Sequence, residues 1–122
     1  MRELGYPIYS TEVRDLEEIG VTAVRLGNLL GRCEKGAQLE VDFLEQLAML
    51  NSEMPIEVRP RVFFKISDQQ FYTVRDEHLI GQAIRVCNGR NIYGDLEIAV
   101  PMVSLESLVS ADPDLILLAS PC

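Results

Sequence analysis

The chain has 122 residues, which suits one domain of common size, and its 48% hydrophobic and 25% charged residues are ordinary for a globular protein. Its formal net charge of −8 argues against nucleic acid or an anionic membrane surface as a partner, because both attract clusters of lysine and arginine. No apolar run is long enough to span a bilayer, and the first residues lack the apolar stretch of a signal peptide.

The first third of the chain predicts a short strand followed by two helices. "YPIYS", Tyr6–Ser10, is the strand, and Thr11 is the candidate N-cap of the first helix. Gly20 and Gly27 count against a regular helix there. A second helix is predicted from about Glu34 to about Asn51. Its broad apolar stripe predicts burial on more than one side, and the stripe comprises Leu39, Val41, Phe43, Leu44, Leu47 and Leu50.

The rest of the chain alternates strands and helices. β-branched and aromatic residues predict a strand over Arg61–Ser67, with a second extended piece over Phe71–Val74. Helices follow over about Asp76–Cys87 and about Ser104–Ser110. The continuous apolar run "LILLA", 115–119, is typical of a parallel strand covered on both faces. This alternation predicts an α/β fold with a mainly parallel sheet.

Common catalytic and metal-binding motifs are absent from the sequence. It contains no GxGxxG, P-loop, HExxH or GxSxG pattern, and its three cysteines form no CxxC pair. His78 has no cysteine or serine at motif spacing, which favours a surface histidine on a helix over a base or ligand. Cys87 is interpreted as a buried structural thiol, with a disulfide half as the alternative. We therefore expect no enzyme, no catalytic residue, no metal and no cofactor.

Two apolar features near predicted strand ends are candidates for ligand contact. Phe71 and Tyr72 follow a core strand, so either one of them plugs the core or the pair forms an aromatic platform. Open α/β sheets bind ligands at that carboxyl edge. The loop tip formed by Val100, Pro101 and Met102 could line the same cleft.

Glu106 is the third candidate, at the start of the helix that begins near Ser104. One interpretation is that its carboxylate complements the helix dipole, worth about 0.5 kcal/mol. The other is that it is an exposed acid, held rigidly to meet an arginine on a partner protein.

The order of segments resembles the periplasmic binding proteins of ABC importers that carry vitamin B12 and iron–siderophore complexes, and above all their cobalamin-binding branch. "NGRNIYGDL" resembles the Gly-Gly-x-Asn-Ile-Phe-x-Asp segment of that family. "VSLESLVSADPDLILLA" resembles its run of Val-Ser-x-Glu-x-Leu followed by Asp-Pro-Asp and hydrophobic residues. The resemblance implies a non-enzymatic substrate-binding component, with cobalamin or an iron chelate as transported ligand.

The family has two Rossmann-like lobes, each with a mainly parallel sheet, joined by one long bridging helix. The resemblance implies that residues 1–33 are the end of the first lobe with a connecting helix, and that 34–54 are the bridging helix. Residues 55–122 are then a partial second lobe, so the chain is truncated relative to the family. It also implies a periplasmic location, although this sequence shows no signal peptide.

Individual roles follow from the same resemblance. Tyr72 matches the aromatic residue that faces the ligand from the second lobe. Val100 falls where close relatives can carry a tryptophan against the corrin ring, so a siderophore or haem-like ligand stays open. Glu106 matches the acid that docks on arginines of the membrane permease.

The alternative function is an intracellular α/β interaction or regulatory domain that derives from such a binding protein and has no transport role. We also expect a homo-oligomer, because a partial sheet can hardly cover the apolar surface of the helix at 34–51.

Overall fold

The computed structural model describes residues 5, 7–53, 57, 59–67 and 69–119. Its helices are α1 (Leu16–Leu29), α2 (Cys33–Glu53), α3 (Leu79–Val86) and α4 (Leu105–Ala111). Its strands are β1 (Arg61–Lys65), β2 (Arg90–Asn91) and β3 (Leu115–Leu118). The order of elements and the parallel sheet confirm the predicted α/β class.

Helices α1 and α2 form an antiparallel hairpin whose backbones meet at glycines. A Cβ atom added at Gly36 would lie 2.8 Å from the carbonyl oxygen of Ala23, and one added at Gly27 would lie 2.9 Å from the Gly36 Cα. Gly20 and Gly27 both lie within the continuous helix α1, so the expectation that they count against a regular helix is wrong. The cost of glycine in a helix is offset here by close packing between the two backbones.

The start of α1 differs from the sequence prediction. The N-cap is Asp15 and not Thr11, and the Asp15 side chain makes no capping hydrogen bond. Residues 7–10 form no strand, since no described strand lies alongside them; Tyr6, the first residue of the predicted strand, is outside the described residues. A local apolar pattern cannot supply the pairing that defines a strand.

The sheet has the order β2-β1-β3, with both pairings parallel. Val62 of β1 pairs with Asn91 on one side and Leu115 on the other, so β1 is the central strand. The buried apolar core surrounds this strand and consists of Val62, Phe63, Val74, Ile84 and Leu108.

Strand β3 lies at the edge of this sheet. All four of its side chains are between 40% and 61% exposed, so the prediction that the "LILLA" run is covered on both faces is wrong. Its extensive contacts with described elements are confined to β1, and no described helix covers it. A continuous apolar run therefore does not specify by itself whether a strand is central or at an edge.

Helix α2 confirms the predicted position of the second long helix, within two residues at each end. Its burial does not match the prediction. Phe43 and Leu47 are partly buried, but the other large apolar residues on α2 are exposed: Leu39, Val41, Leu44, Met49 and Leu50. Within the described part of the chain, α2 packs extensively on α1 alone, so a broad apolar surface stays in contact with water.

Helix α4 is closed at both ends by polar side chains. Ser104 is its N-cap and accepts a hydrogen bond from the Ser107 N–H at 3.1 Å. At the other end Asp112 adopts the left-handed conformation, and the Arg61 guanidinium donates to the carbonyl oxygens of Ala111 and Asp112. A cation at a helix C-terminus is electrostatically favourable, so β1 and α4 are locked together.

Candidate functional site

Two loop segments at the carboxyl end of β1, residues 71–75 and 99–103, run antiparallel to each other; we call them the paired loops. An isolated bridge joins Tyr72 to Met102. Three backbone hydrogen bonds hold the segments together: Thr73 N–H to Pro101 O at 3.0 Å, Arg75 N–H to Ala99 O at 3.2 Å, and Val103 N–H to Phe71 O at 2.9 Å. The strand predicted over Phe71–Val74 is thus reduced to one bridge within a loop pair.

The paired loops bring together the apolar candidates that lie far apart in the sequence. Phe71 and Tyr72 are each partly buried, so neither is fully enclosed as a core plug. Val100 is 41% exposed and Met102 is 67% exposed, whereas Pro101 is buried. Tyr72, Val100 and Met102 therefore offer accessible surface, while Pro101 supports the backbone beneath them.

Phe71 already has a cationic neighbour. The Lys65 Nζ atom lies 4.9 Å from the centroid of the Phe71 ring, within range of a cation–π interaction. Lys65 is the last residue of β1, so this contact fixes the ring at the carboxyl edge of the sheet.

Glu106 lies in the first turn of α4, next in the chain to the second paired loop, and its side chain is exposed. Hydrogen bonds from its own backbone N–H and from the Ser104 hydroxyl hold the pKa of Glu106 below its usual range. The carboxylate is therefore ionised at neutral pH and held close to the helix start.

Contacts between α4 and the core keep this helix start in place. The Tyr93 hydroxyl lies 3.0 Å from the Ser107 Oγ, and the Tyr93 ring meets Phe63 edge-on with centroids 5.9 Å apart. Because Phe63 is fully buried in β1, the first turn of α4 is tied to the core of the sheet.

A separate cleft of about 1170 Å³ lies between the start of α1, the second half of α2 and the start of α3. Apolar residues from the helices and polar residues from the approach to α3 line it, among them Leu44, Leu47, Arg75, His78, Leu79 and Gln82. Arg75 and Ala99 belong to both the cleft and the paired loops. The five predicted ligand residues Phe71, Tyr72, Val100, Pro101 and Met102 do not line this cleft, and sequence reasoning did not find it.

His78 is the N-cap of α3, partly exposed, and lies in the wall of the cleft. Its Nδ1 atom accepts a hydrogen bond from the Ile80 N–H at 3.2 Å. A neutral imidazole that accepts at Nδ1 carries its proton on Nε2. In that tautomer Nδ1 is engaged in capping α3 and the Nε2 N–H is the donor that the ring offers.

Cys87 is exposed, and the prediction of a buried thiol is wrong. It is the C-cap of α3, one residue after Val86, where the helix ends. Cys33 is also a free, exposed cysteine, and Cys122 lies outside the described residues.

The described ranges contain neither a metal-type cluster of side chains nor a candidate membrane-spanning helix. Within them, no three histidine, cysteine or acidic side chains gather as they would around a metal ion. In the same ranges, no helix has the length and apolar character needed to cross a membrane.

No family model matches the chain, but curated relatives match nearly all of it. It is 28% identical over 116 residues to a vitamin B12-binding protein from Vibrio cholerae, covering 95% of this chain and 42% of the relative. It is 25% identical over 119 residues to a vitamin B12-binding protein from Salmonella typhimurium, covering 98% of this chain and 45% of the relative. The chain thus spans less than half the length of the curated relatives it matches.

Solved structures agree with this result. The periplasmic vitamin B12 binding protein BtuF of Vibrio cholerae superposes with a TM-score of 0.81 at 27% identity, over 97% of this chain and 46% of that one. The periplasmic heme-binding protein BhuT, in complex with two hemes, superposes with a TM-score of 0.78 over 96% of this chain and 46% of that one. At 20% identity the second likeness shows the fold alone.

These relatives are binding proteins and not enzymes. The resemblance drawn from the "NGRNIYGDL" and "VSLESLVSADPDLILLA" segments is therefore confirmed, since the same group of proteins appears by sequence and by structure. Over nearly all its length, the chain is similar to a part of the two-lobed periplasmic vitamin B12-binding proteins.

Proposed function

We propose that this chain is part of the substrate-binding component of an ABC importer for cobalamin or a related metal chelate, and that it presents this ligand to a membrane permease. The observation that carries the proposal is the similarity to vitamin B12-binding proteins over 95% of the chain. The paired loops and the start of α4 support it, because they place an apolar surface and a fixed carboxylate next to each other in the chain.

The paired loops suit a flat, largely apolar ligand. Tyr72 has its backbone bridged to Met102, so its ring is pre-positioned at the loop surface. The exposed Val100 and Met102 add apolar area beside it, and methionine adapts to irregular ligand faces. A corrin or haem-like macrocycle offers a broad face for such a surface and polar groups at its rim.

Glu106 is proposed as the contact with the permease. An ionised carboxylate at the protein surface can form a charge-assisted pair with an arginine, and the bidentate form of that pair also fixes orientation. The hydrogen bonds from Ser104 and from the backbone N–H of Glu106 already restrict the Glu106 side chain. Less side-chain entropy is therefore lost when it docks.

The ligand proposal is tested by calorimetric titration of this chain with cyanocobalamin, hemin and a ferric hydroxamate. We expect weak binding, with a dissociation constant above the micromolar range, because the chain spans less than half the length of its relatives and a ligand of this size needs most of its surface enclosed. Tyr72→Ala should weaken the binding further. Tyr9→Ala, at an exposed tyrosine outside the paired loops, should leave it unchanged.

Three outcomes would contradict parts of this proposal. Sub-micromolar affinity would show that the chain encloses its ligand alone. Equal effects of the two tyrosine variants would exclude the paired loops as the contact surface. Failure of all three ligands to bind at millimolar concentration would favour the interaction or regulatory domain instead.

A further inference from the structure

One side chain on α3, Gln82, joins the α1–α2 hairpin to the part of the molecule that contains the sheet. Few other contacts connect these two parts. The Gln82 Oε1 atom accepts from the Leu16 N–H at 3.1 Å. Its Nε2 atom donates to the carbonyl oxygens of Arg14 at 2.9 Å and Glu77 at 3.0 Å, and to Asp15 Oδ1 at 3.2 Å. The side chain therefore bonds three consecutive residues at the start of α1 and one residue just before α3.

The start of α1 depends on this contact. The first N–H groups of a helix have no partner within it, and an N-cap side chain normally accepts from one of them. Asp15 occupies the N-cap position but its side chain makes no capping hydrogen bond, and its carboxylate accepts from Gln82. Gln82 supplies an acceptor to a different free donor of the first turn, the Leu16 N–H, so α1 is held at its start by a side chain 66 positions away in the sequence.

Other links between the α1–α2 hairpin and the sheet part are few. Among the described residues, the hydrogen bonds that join residues 7–53 to residues 59–119 all end on Gln82. Contact of α3 with α1 and α2 is slight compared with the contact between α1 and α2. Because the cleft lies between these same two parts, the distance between them sets its width.

We infer that Gln82 is a clamp that sets the width of the cleft by fixing the start of α1 against α3. It is a positioning residue, and the inference does not depend on which ligand the cleft accepts. Only a side chain with both a donor and an acceptor can perform this task. Leucine offers neither, and glutamate keeps the acceptor for Leu16 but cannot donate to the Arg14 and Glu77 carbonyl oxygens.

The chain carries natural labelling sites for a direct test. Cys33 at the start of α2 and Cys87 at the end of α3 are exposed and free, and they lie on the two parts that the clamp connects. With Cys122→Ser as background, spin labels on both cysteines report the distance distribution between the hairpin and the sheet part by pulsed electron resonance. Mixing the labelled protein with an excess of unlabelled protein suppresses the signal from pairs of labels on different molecules.

We expect a single narrow distribution for the parent chain and a broadened or shifted one for Gln82→Leu. Gln82→Glu should also broaden it, because a new charge beside Asp15 and the loss of all three bonds donated by Nε2 outweigh the retained acceptor. The matched control is Gln38→Leu. Gln38 is also a helix glutamine, but its amide bonds only to Asp42 on its own helix, at 2.7 Å.

The distance readout separates a clamp from a residue that merely adds stability. Lower melting temperatures with unchanged distances in the folded protein would overturn the inference. So would a Gln38→Leu variant that broadens the distribution as much as Gln82→Leu does. If Gln82→Leu fails to fold, Gln82→Glu gives the answer, and a distribution identical to that of the parent chain would then overturn the inference.

Discussion

Thr73 lies within the first of the paired loops and is fully buried, and its hydroxyl oxygen has no hydrogen-bond partner among the described residues. A buried polar group without a partner costs about 1–3 kcal/mol of desolvation. The neighbouring backbone already pairs with Pro101, so the hydroxyl is not needed to hold the loops together.

We therefore expect Thr73→Val, which keeps the shape and removes the hydroxyl, to raise the free energy of unfolding by about 1 kcal/mol. Urea denaturation followed by circular dichroism measures this change. Thr11→Val, at an exposed threonine, is the control and should have no effect. A destabilised Thr73→Val protein would show that the hydroxyl has a partner, such as an ordered water.

Glu106 gives the second prediction at this scale. Charge reversal by Glu106→Lys should weaken association with a purified vitamin B12 importer in nanodiscs by about tenfold or more, because it would leave an arginine of the importer facing a like charge. The melting temperature should change little, since the side chain is exposed.

The matched control for this test is Glu34→Lys, which reverses an exposed glutamate in the first turn of α2. It alters the charge near a helix start and the net charge in the same way, but it lies on α2, away from Glu106. Equal loss of association for both variants, or collapse of the fold in Glu106→Lys, would contradict the assignment.

At the scale of elements, the crossing of α1 and α2 depends on glycines that differ in what surrounds them. A Cβ at Gly36 meets backbone atoms, 2.8 Å from Ala23 O and 3.1 Å from Val24 Cα. A Cβ at Gly20 meets the Glu40 Cγ at 3.0 Å, and that side chain can move away.

Gly36→Ala should consequently lower the free energy of unfolding by about 1–3 kcal/mol, because the overpacking outweighs the gain in helix propensity. Gly20→Ala should instead stabilise the protein by up to about 1 kcal/mol, since only a flexible side chain must yield. Chemical denaturation of both variants measures these changes in the free energy of unfolding. The same sign for the two changes would mean that the crossing does not require glycine.

Elements with strong local patterns were predictable from the sequence, and those defined by distant partners were not. The apolar spacing along α2 and the β-branched run of β1 located both elements to within two residues. The start of α1 was misplaced because it is held by Gln82 on another helix. The exposure of β3 depends on how many neighbours it has, which four apolar residues do not encode.

The candidate site was likewise predictable where it depends on local sequence and not where it depends on distant segments. The rule that ligands bind at the carboxyl edge of parallel strands pointed to Phe71 and Tyr72, and the fold brings Met102 beside them. The cleft could not be predicted, because three segments distant in sequence build it and each looks like an ordinary helix end or loop.

At the scale of the whole molecule, the exposed apolar surface of α2 and the open edge of β3 predict self-association. Each large apolar side chain left in water forgoes roughly 1.5–3 kcal/mol of burial, and five such side chains on α2 are exposed: Leu39, Val41, Leu44, Met49 and Leu50. An unpaired apolar edge strand is also a template for pairing with a second copy.

We expect a homodimer or a higher oligomer at low micromolar concentration, measured by light scattering coupled to size-exclusion chromatography. Ile116→Lys should reduce association through the sheet edge, and Leu39→Lys should reduce association through the helix face. Comparison of the two variants therefore shows whether the copies associate through the sheet edge or through the helix face. A clean monomer of the parent chain with a cooperative melt would show that neither surface drives assembly.

The parallel pairing around β1 also governs the order in which parts of this fold can form during synthesis on the ribosome. The α1–α2 hairpin closes across a few residues, whereas the Asp114 carboxylate next to β3 binds the Arg61 N–H from 53 positions away. The entropy lost on closing a loop rises with its length, and a nascent chain cannot close this one until β3 has emerged. Throughout that interval β1 lacks β3 on one flank, so the strand at the centre of the described sheet is exposed on that side during synthesis.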